Sequence, residues 1–156
     1  MTIRRINEKD LAAVISLMQE FAVSEGLSEY CEITVERLST AMFGKSGFVE
    51  GLISHENENP AGYALFYPSF SSFRGQRGMY LEDIYIKDEY RGKGLGKAML
   101  VEIAKIAGDR GFERIDLTVL EGNEPAIAFY KKLGAMLDAD GRHCKFTDEA
   151  FRSLAS

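Results

Sequence analysis

Residues 90–97 read YRGKGLGK, with glycines at 92, 94 and 96 directly ahead of the helix-like run AMLVEIAKIAG. Glycine inside regular structure costs roughly 0.5–1 kcal/mol relative to alanine, so this density implies that something approaches the backbone closely. A helix N-terminus offers unpaired amides and about +0.5 of an elementary charge, which makes an anion, phosphate first, the expected ligand. A few residues earlier, YLEDIYI sets Glu82 beside Asp83 within a run of β-branched and aromatic residues. Neighbouring side chains of a regular strand point to opposite faces, so Asp83 is expected to face away from Glu82 unless a bulge intervenes.

The usual nucleotide loops do not account for the glycines. GxxxxGK[ST] requires a glycine where the chain has Arg91 and a hydroxyl where it has Ala98, and GxGxxG requires a glycine where it has Lys97.

The elements that must carry these residues follow from periodicity. TIRRI reads as an opening strand, and Asn7 caps a helix whose apolar positions are Leu11, Val14, Ile15, Met18, Phe21 and Ala22. VSEGLSEYCEI breaks that pattern at Gly26 and gathers Glu25, Glu29 and Glu32 before a shorter helix at 34–43. GFVEGLISH and AGYALFYPSF, joined through ENENP, predict an antiparallel pair, with SSFRGQRG as a loop and GMYLEDIYIKD as the next strand. A helix over 94–109, a strand in FERIDLTVLE and a helix opened by Asn123 or Glu124 with Pro125 and closed at Gly134 come next. Short strands at 135–138 and 142–147 are expected to complete the sheet, with a few helical residues at the end. Strand hairpins followed by helical crossovers indicate an α/β domain with a mixed sheet.

Composition bounds the function. A chain of 156 residues with 46% hydrophobic and 28% charged residues reads as one globular domain, 1–156. The opening MTIRRINEKD does not resemble a signal peptide, and no apolar run reaches the roughly 20 residues that span a bilayer, so the expected location is cytoplasmic, away from membranes. A net charge of −5 and a sequence pI near 5.2 argue against a broad nucleic-acid footprint and are compatible with a cationic small partner. Cys31, Cys144, His55 and His143 have no metal-ligand spacing, so no metal is expected.

Met79 to Gly134 resembles the acetyl-CoA core of the GNAT acyltransferase superfamily, whose [RQ]xxGxG signature is matched by Arg91, Gly94 and Gly96. YLEDIYI before it and NEPAIAFYKKLGA after it are similar to the spermidine/spermine and thialysine acetyltransferase branch. The resemblance implies the GNAT acyl-CoA N-acyltransferase fold: a mixed, mostly antiparallel sheet with helices on both faces.

It implies a set of roles as well. Backbone amides of Gly92, Lys93, Gly94, Leu95, Gly96 and Lys97 would hold the CoA pyrophosphate, with Arg91 and Lys93 adding charge, and the strand at Ile84, Tyr85 and Ile86 would pair with the pantetheine arm. Asn123 would contact that arm, and Tyr130 would protonate the leaving thiolate. The acceptor would be a primary amine, a polyamine, diamine or lysine-like molecule, attacking acetyl-CoA directly in a ternary complex. Such an ammonium has a solution pKa near 10.4 and must lose a proton first, for which Glu82 is the chosen base, directly or through water. Glu25, Glu82 and Asp83 would hold the amine, with Tyr30 or Tyr85 adding cation–π contact. The alternatives are an acetyltransferase of amino acids or of protein and peptide amines, and a non-catalytic acetyl-CoA sensor. Related enzymes commonly pair through C-terminal strands, so a homodimer is expected.

Overall fold

A computed structural model describes residues 1–156. They divide into two compact units, Met1–Thr118 and Val119–Ser156.

The first unit is built on a five-stranded sheet in the order β1 (Thr2–Arg5), β2 (Glu50–Glu56), β3 (Asn59–Ser71), β4 (Gln76–Ile86) and β5 (Arg114–Leu117). The first four strands are antiparallel neighbours, and β5 joins β4 in parallel through the crossover helix α3 (Leu95–Asp109). Two helices precede β2: α1 (Leu11–Ser24) and α2 (Val35–Phe43). Period-2 alternation in β3 and β4 sends side chains to opposite faces, and each face is covered. On one face Phe66, Met79 and Leu81 pack against Met99 and Ile103 of α3; on the other Tyr63, Leu65 and Tyr85 pack against α1 and Leu38 of α2.

Local signals set the ends of these elements. The Asn7 side chain accepts from the Lys9 amide, and Asp10 returns a bond to the Asn7 amide at 2.8 Å; this box closes a 3-10 turn at Glu8–Asp10 that leads into α1. Thr34 caps α2 by accepting from the Arg37 amide. The loop expected at 71–78 is shorter than its polar composition suggests, because β3 and β4 run on as a hairpin whose ladder reaches Ser71 and Gln76.

The second unit holds α4 (Glu124–Lys132) and α5 (Asp148–Ala155). Asn123 caps α4 by accepting from the Ala126 amide, and Gly134, at φ 96°, ends it as the Ala135 amide bonds back to the Tyr130 carbonyl. The strands expected at 135–138 and 142–147 are absent: the sheet ends at β5, and both stretches are exposed and non-repetitive. A strand exists only where an edge pairs with its amides and carbonyls, and here no ladder receives them. No helix is long and apolar enough to cross a membrane.

Candidate active site

The β3–β4 ladder contains one irregularity, and it falls on the acidic pair. Leu65 pairs with Asp83 and the next residue, Phe66, pairs with Leu81, so Glu82 is the extra residue of a bulge. Tyr63 and Tyr67, four apart on β3, share a face. The Tyr63 hydroxyl donates to Asp83 Oδ2 at 3.0 Å and the Tyr67 hydroxyl donates to Glu82 Oε2 at 2.8 Å. Both carboxylates therefore lie on the same face, the one that carries α1 and α2. This corrects the regular-strand expectation that Asp83 faces away from Glu82; the extra residue resets the alternation.

The two carboxyls have different surroundings. Asp83 is largely enclosed, and burial pushes its carboxyl up to about 6; the Tyr63 hydrogen bond opposes that shift and the charge of Glu82 adds to it. Burial also pushes the Tyr63 hydroxyl, fully buried, far above its ordinary value, so it remains a donor. Glu82 is exposed. One protected carboxyl and one open carboxyl on adjacent residues can together attract an ammonium group and relay a proton.

Beside them, β4 loses its second neighbour. β5 pairs only with Gly78–Leu81, whereas β4 continues to Ile86. From Glu82 onward the β5-side edge of the strand is thus open, and an extended chain bearing amides can add to it as a strand would. Ile84 and Ile86 pack their side chains into the α3-side core, leaving the backbone for this purpose.

The chain then turns through Asp88–Tyr90 into the glycine loop. Gly92 and Gly94 have φ values of 74° and 82°, and a Cβ at either would meet no atom within 4 Å. The left-handed backbone itself demands glycine there. The first bond of α3 runs from the Ala98 amide to the Gly94 carbonyl, so the preceding amides of Leu95, Gly96 and Lys97 have no intrahelical acceptor. These amides, with the exposed Lys93 and Lys97, suit a diphosphate.

Arg91, expected to add charge at this loop, also makes contacts within the chain. Its Nε donates to the Ile86 carbonyl at 2.8 Å, its guanidinium pairs with Asp88 at 2.7 Å, and it lies over the Tyr85 ring at 5.6 Å. Arg91 staples the end of β4 to the loop. Tyr85 is correspondingly unsuited to cation–π contact with an amine: it is buried, stacked on Phe21 at 5.3 Å and already covered by Arg91. Tyr30 stays exposed. Glu25 follows α1 immediately, its amide bonded to the carbonyl of the same Phe21 that stacks on Tyr85.

Asn123 and Tyr130 belong to the second unit. Asn123 is the α4 cap described above. Tyr130, in the last turns of that helix, packs edge-on to Phe129 at 5.2 Å, and burial pushes its phenol up to about 12, so it carries its proton throughout the neutral range. No three His, Cys, Asp or Glu side chains are grouped so as to hold a metal ion.

The sequence reading missed Tyr63 and Tyr67, which hold the two carboxylates. Their only signal is their spacing in YALFY, which becomes meaningful once the register is known.

The model of the acetyltransferase (GNAT) family matches residues 17–135. A thialysine N-epsilon-acetyltransferase of Bos taurus is 39% identical over 98% of this chain and 96% of its own length. An L-ornithine N5-acetyltransferase of Arabidopsis thaliana is 38% identical over 60% of this chain and 41% of its own length. Among solved structures, an integron cassette protein from the V. cholerae mobile metagenome superposes with a TM-score of 0.79 at 22% identity, covering 99% of this chain and 96% of that one, which shows the shared fold. With its glycine loop at a helix N-terminus, its half-open β4 and its full-length acetyltransferase relative, the chain belongs to the GNAT family and is an acetyl-CoA-dependent N-acetyltransferase.

Proposed function

We propose that the protein acetylates the side-chain or terminal primary amine of a lysine-like amino acid, diamine or polyamine, and that Glu82 and Asp83 receive that amine. The observation that carries the reading is the bulge that turns both carboxylates to one face beside the open edge of β4. The thialysine and ornithine relatives, whose named substrates are amino acids with a second amine, support the substrate class.

In this reading the amides of residues 92–97 hold the CoA diphosphate, and the Ile84–Ile86 backbone pairs with the pantetheine arm, aiming the thioester at Glu82. Asn123 contacts the arm as well. Glu25 and Asp83 hold the acceptor's ammonium charge, and Glu82, directly or through a water, takes the proton that leaves a neutral nucleophile. The C–N bond then forms and the C–S bond breaks. Of the two protons the ammonium loses, one departs through Glu82, and the other balances the proton that Tyr130 gives to sulfur. The chain acts as a single domain, in the cytoplasm, as a homodimer.

A thiol-release assay with acetyl-CoA tests the reading against thialysine, lysine, ornithine, putrescine, spermidine, simple monoamines and short peptides, with products identified by mass. Acetylation of the diamines or diamino acids in preference to the monoamines is expected. Turnover confined to peptides overturns the small-amine assignment, and a sedimentation mass of one chain at micromolar concentration overturns the dimer.

A further inference from the structure

A bulge residue has no cross-strand partner on the ladder, so nothing in the strand pairing fixes its side chain. Glu82 is such a residue, it is exposed, and holding a glutamate in one rotamer costs side-chain conformational freedom. Yet its Oε2 accepts a 2.8 Å bond from Tyr67. The Tyr67 ring is itself held on two sides, stacked on Tyr80 at 5.4 Å and met edge-on by Phe48 at 5.6 Å. Tyr80 in turn shares a 2.7 Å hydroxyl bond with Thr118, just beyond β5. A continuous row from Thr118 through Tyr80 and Tyr67 to Phe48 thus crosses the sheet, and its Tyr67 member makes the hydrogen bond to Glu82. Apolar packing of the ring would be equally served by phenylalanine; the hydroxyl is accounted for only by the carboxylate.

We propose that Tyr67 is a positioning residue for proton transfer, with its hydroxyl fixing the Glu82 carboxylate so that Oε1 faces the incoming ammonium. This rests on the reading of Glu82 as the base. Burial and the neighbouring carboxylate push the Tyr67 phenol well above its ordinary value, so the donor keeps its proton under all working conditions. Placing a catalytic group to within about 1 Å can matter by as much as 10²-fold in rate, and a single neutral donor to a carboxylate falls in the lower part of that range.

The test compares Tyr67→Phe, Glu82→Gln and the double variant by single-turnover acetyl transfer to the best amine, together with acetyl-CoA binding by calorimetry. Tyr67→Phe is expected to slow transfer by roughly 5- to 20-fold with acetyl-CoA affinity unchanged. Added to Glu82→Gln, it is expected to cause no further loss, because the group it positions is gone. A transfer rate equal to wild type in Tyr67→Phe, alongside an impaired Glu82→Gln, overturns the role of Tyr67 and leaves Glu82 as base. Losses that multiply in the double variant, or a parallel fall in acetyl-CoA affinity, reduce Tyr67 to a structural residue. A Glu82→Gln variant with wild-type transfer overturns the base assignment and the positioning role together.

Discussion

The Tyr63 hydroxyl donates to Asp83 at 3.0 Å from a fully buried position on the neighbouring strand, while Tyr67, four residues further along that strand and half-buried, makes the same bond to the exposed Glu82 at 2.8 Å. Two adjacent carboxylates thus receive the same donor chemistry in different surroundings, and environment divides their behaviour.

The half-buried member of the pair, Asp83, makes stability depend on pH. With its folded-state value raised to about 6, Asp83 keeps its proton where the unfolded chain, near 3.9, has lost it. The unfolded state therefore binds fewer protons between about pH 4 and 6, and the contribution of this group to stability falls as pH rises through that window, then levels off. Asp83→Asn removes the penalty. Denaturant unfolding at pH 4, 5, 6 and 7 is expected to show the variant gaining on wild type across the window, by at most roughly 3 kcal/mol at pH 7. A difference that stays constant with pH contradicts the assignment.

Asp10 works in the opposite sense. Its carboxylate makes two bonds to Arg4, at 2.6 and 2.7 Å, and accepts from the Asn7 amide; the Arg4 bond foremost holds it below the usual carboxylate range. Its stabilisation is present above the unfolded value near 3.9 and is lost as pH falls through the lower folded value. Asp10→Asn is expected to cost about 1–2 kcal/mol at pH 7, since Arg4 is half exposed and the pair is partly screened. In urea unfolding at pH 7 and pH 3 the cost should shrink at the lower pH.

Gly94 enters α3 at φ 82° with open space around it. Gly94→Ala is expected to destabilise by about 1–2 kcal/mol through backbone strain alone. It should also weaken acetyl-CoA binding by turning away the amides that follow. Thermal melting and calorimetry on the same sample separate the two effects, and unaltered affinity would remove the loop from the cofactor site.

Tyr130 is protonated throughout the neutral range, as an acid for thiolate departure requires. Tyr130→Phe is expected to lower kcat by about 10²-fold while acetyl-CoA affinity changes less than twofold. Wild-type turnover would exclude it from proton donation.

The sequence by itself determined what short-range physics controls. Asn7, Thr34 and Asn123 announce helix starts through side chains that bond amides two or three residues away, and the glycines at 92 and 94 announce a left-handed backbone that other residues resist. Alternation and apolar spacing located the five strands and their covering helices, because those patterns repeat within a single element. Tertiary structure alone decided the rest. Whether Asp83 joins Glu82 on one face depends on a single skipped residue in the ladder with β3, and that register is set by pairing across the sheet. Tyr67 has meaning only once that register brings it to Glu82. Arg91 fits the family signature, and only the fold shows that it also bonds to the Ile86 carbonyl at the end of β4 and pairs with Asp88. The strands expected at 135–138 and 142–147 are absent: AMLD and RHCKFT are poor in β-branched and aromatic residues, and no sheet edge pairs with them.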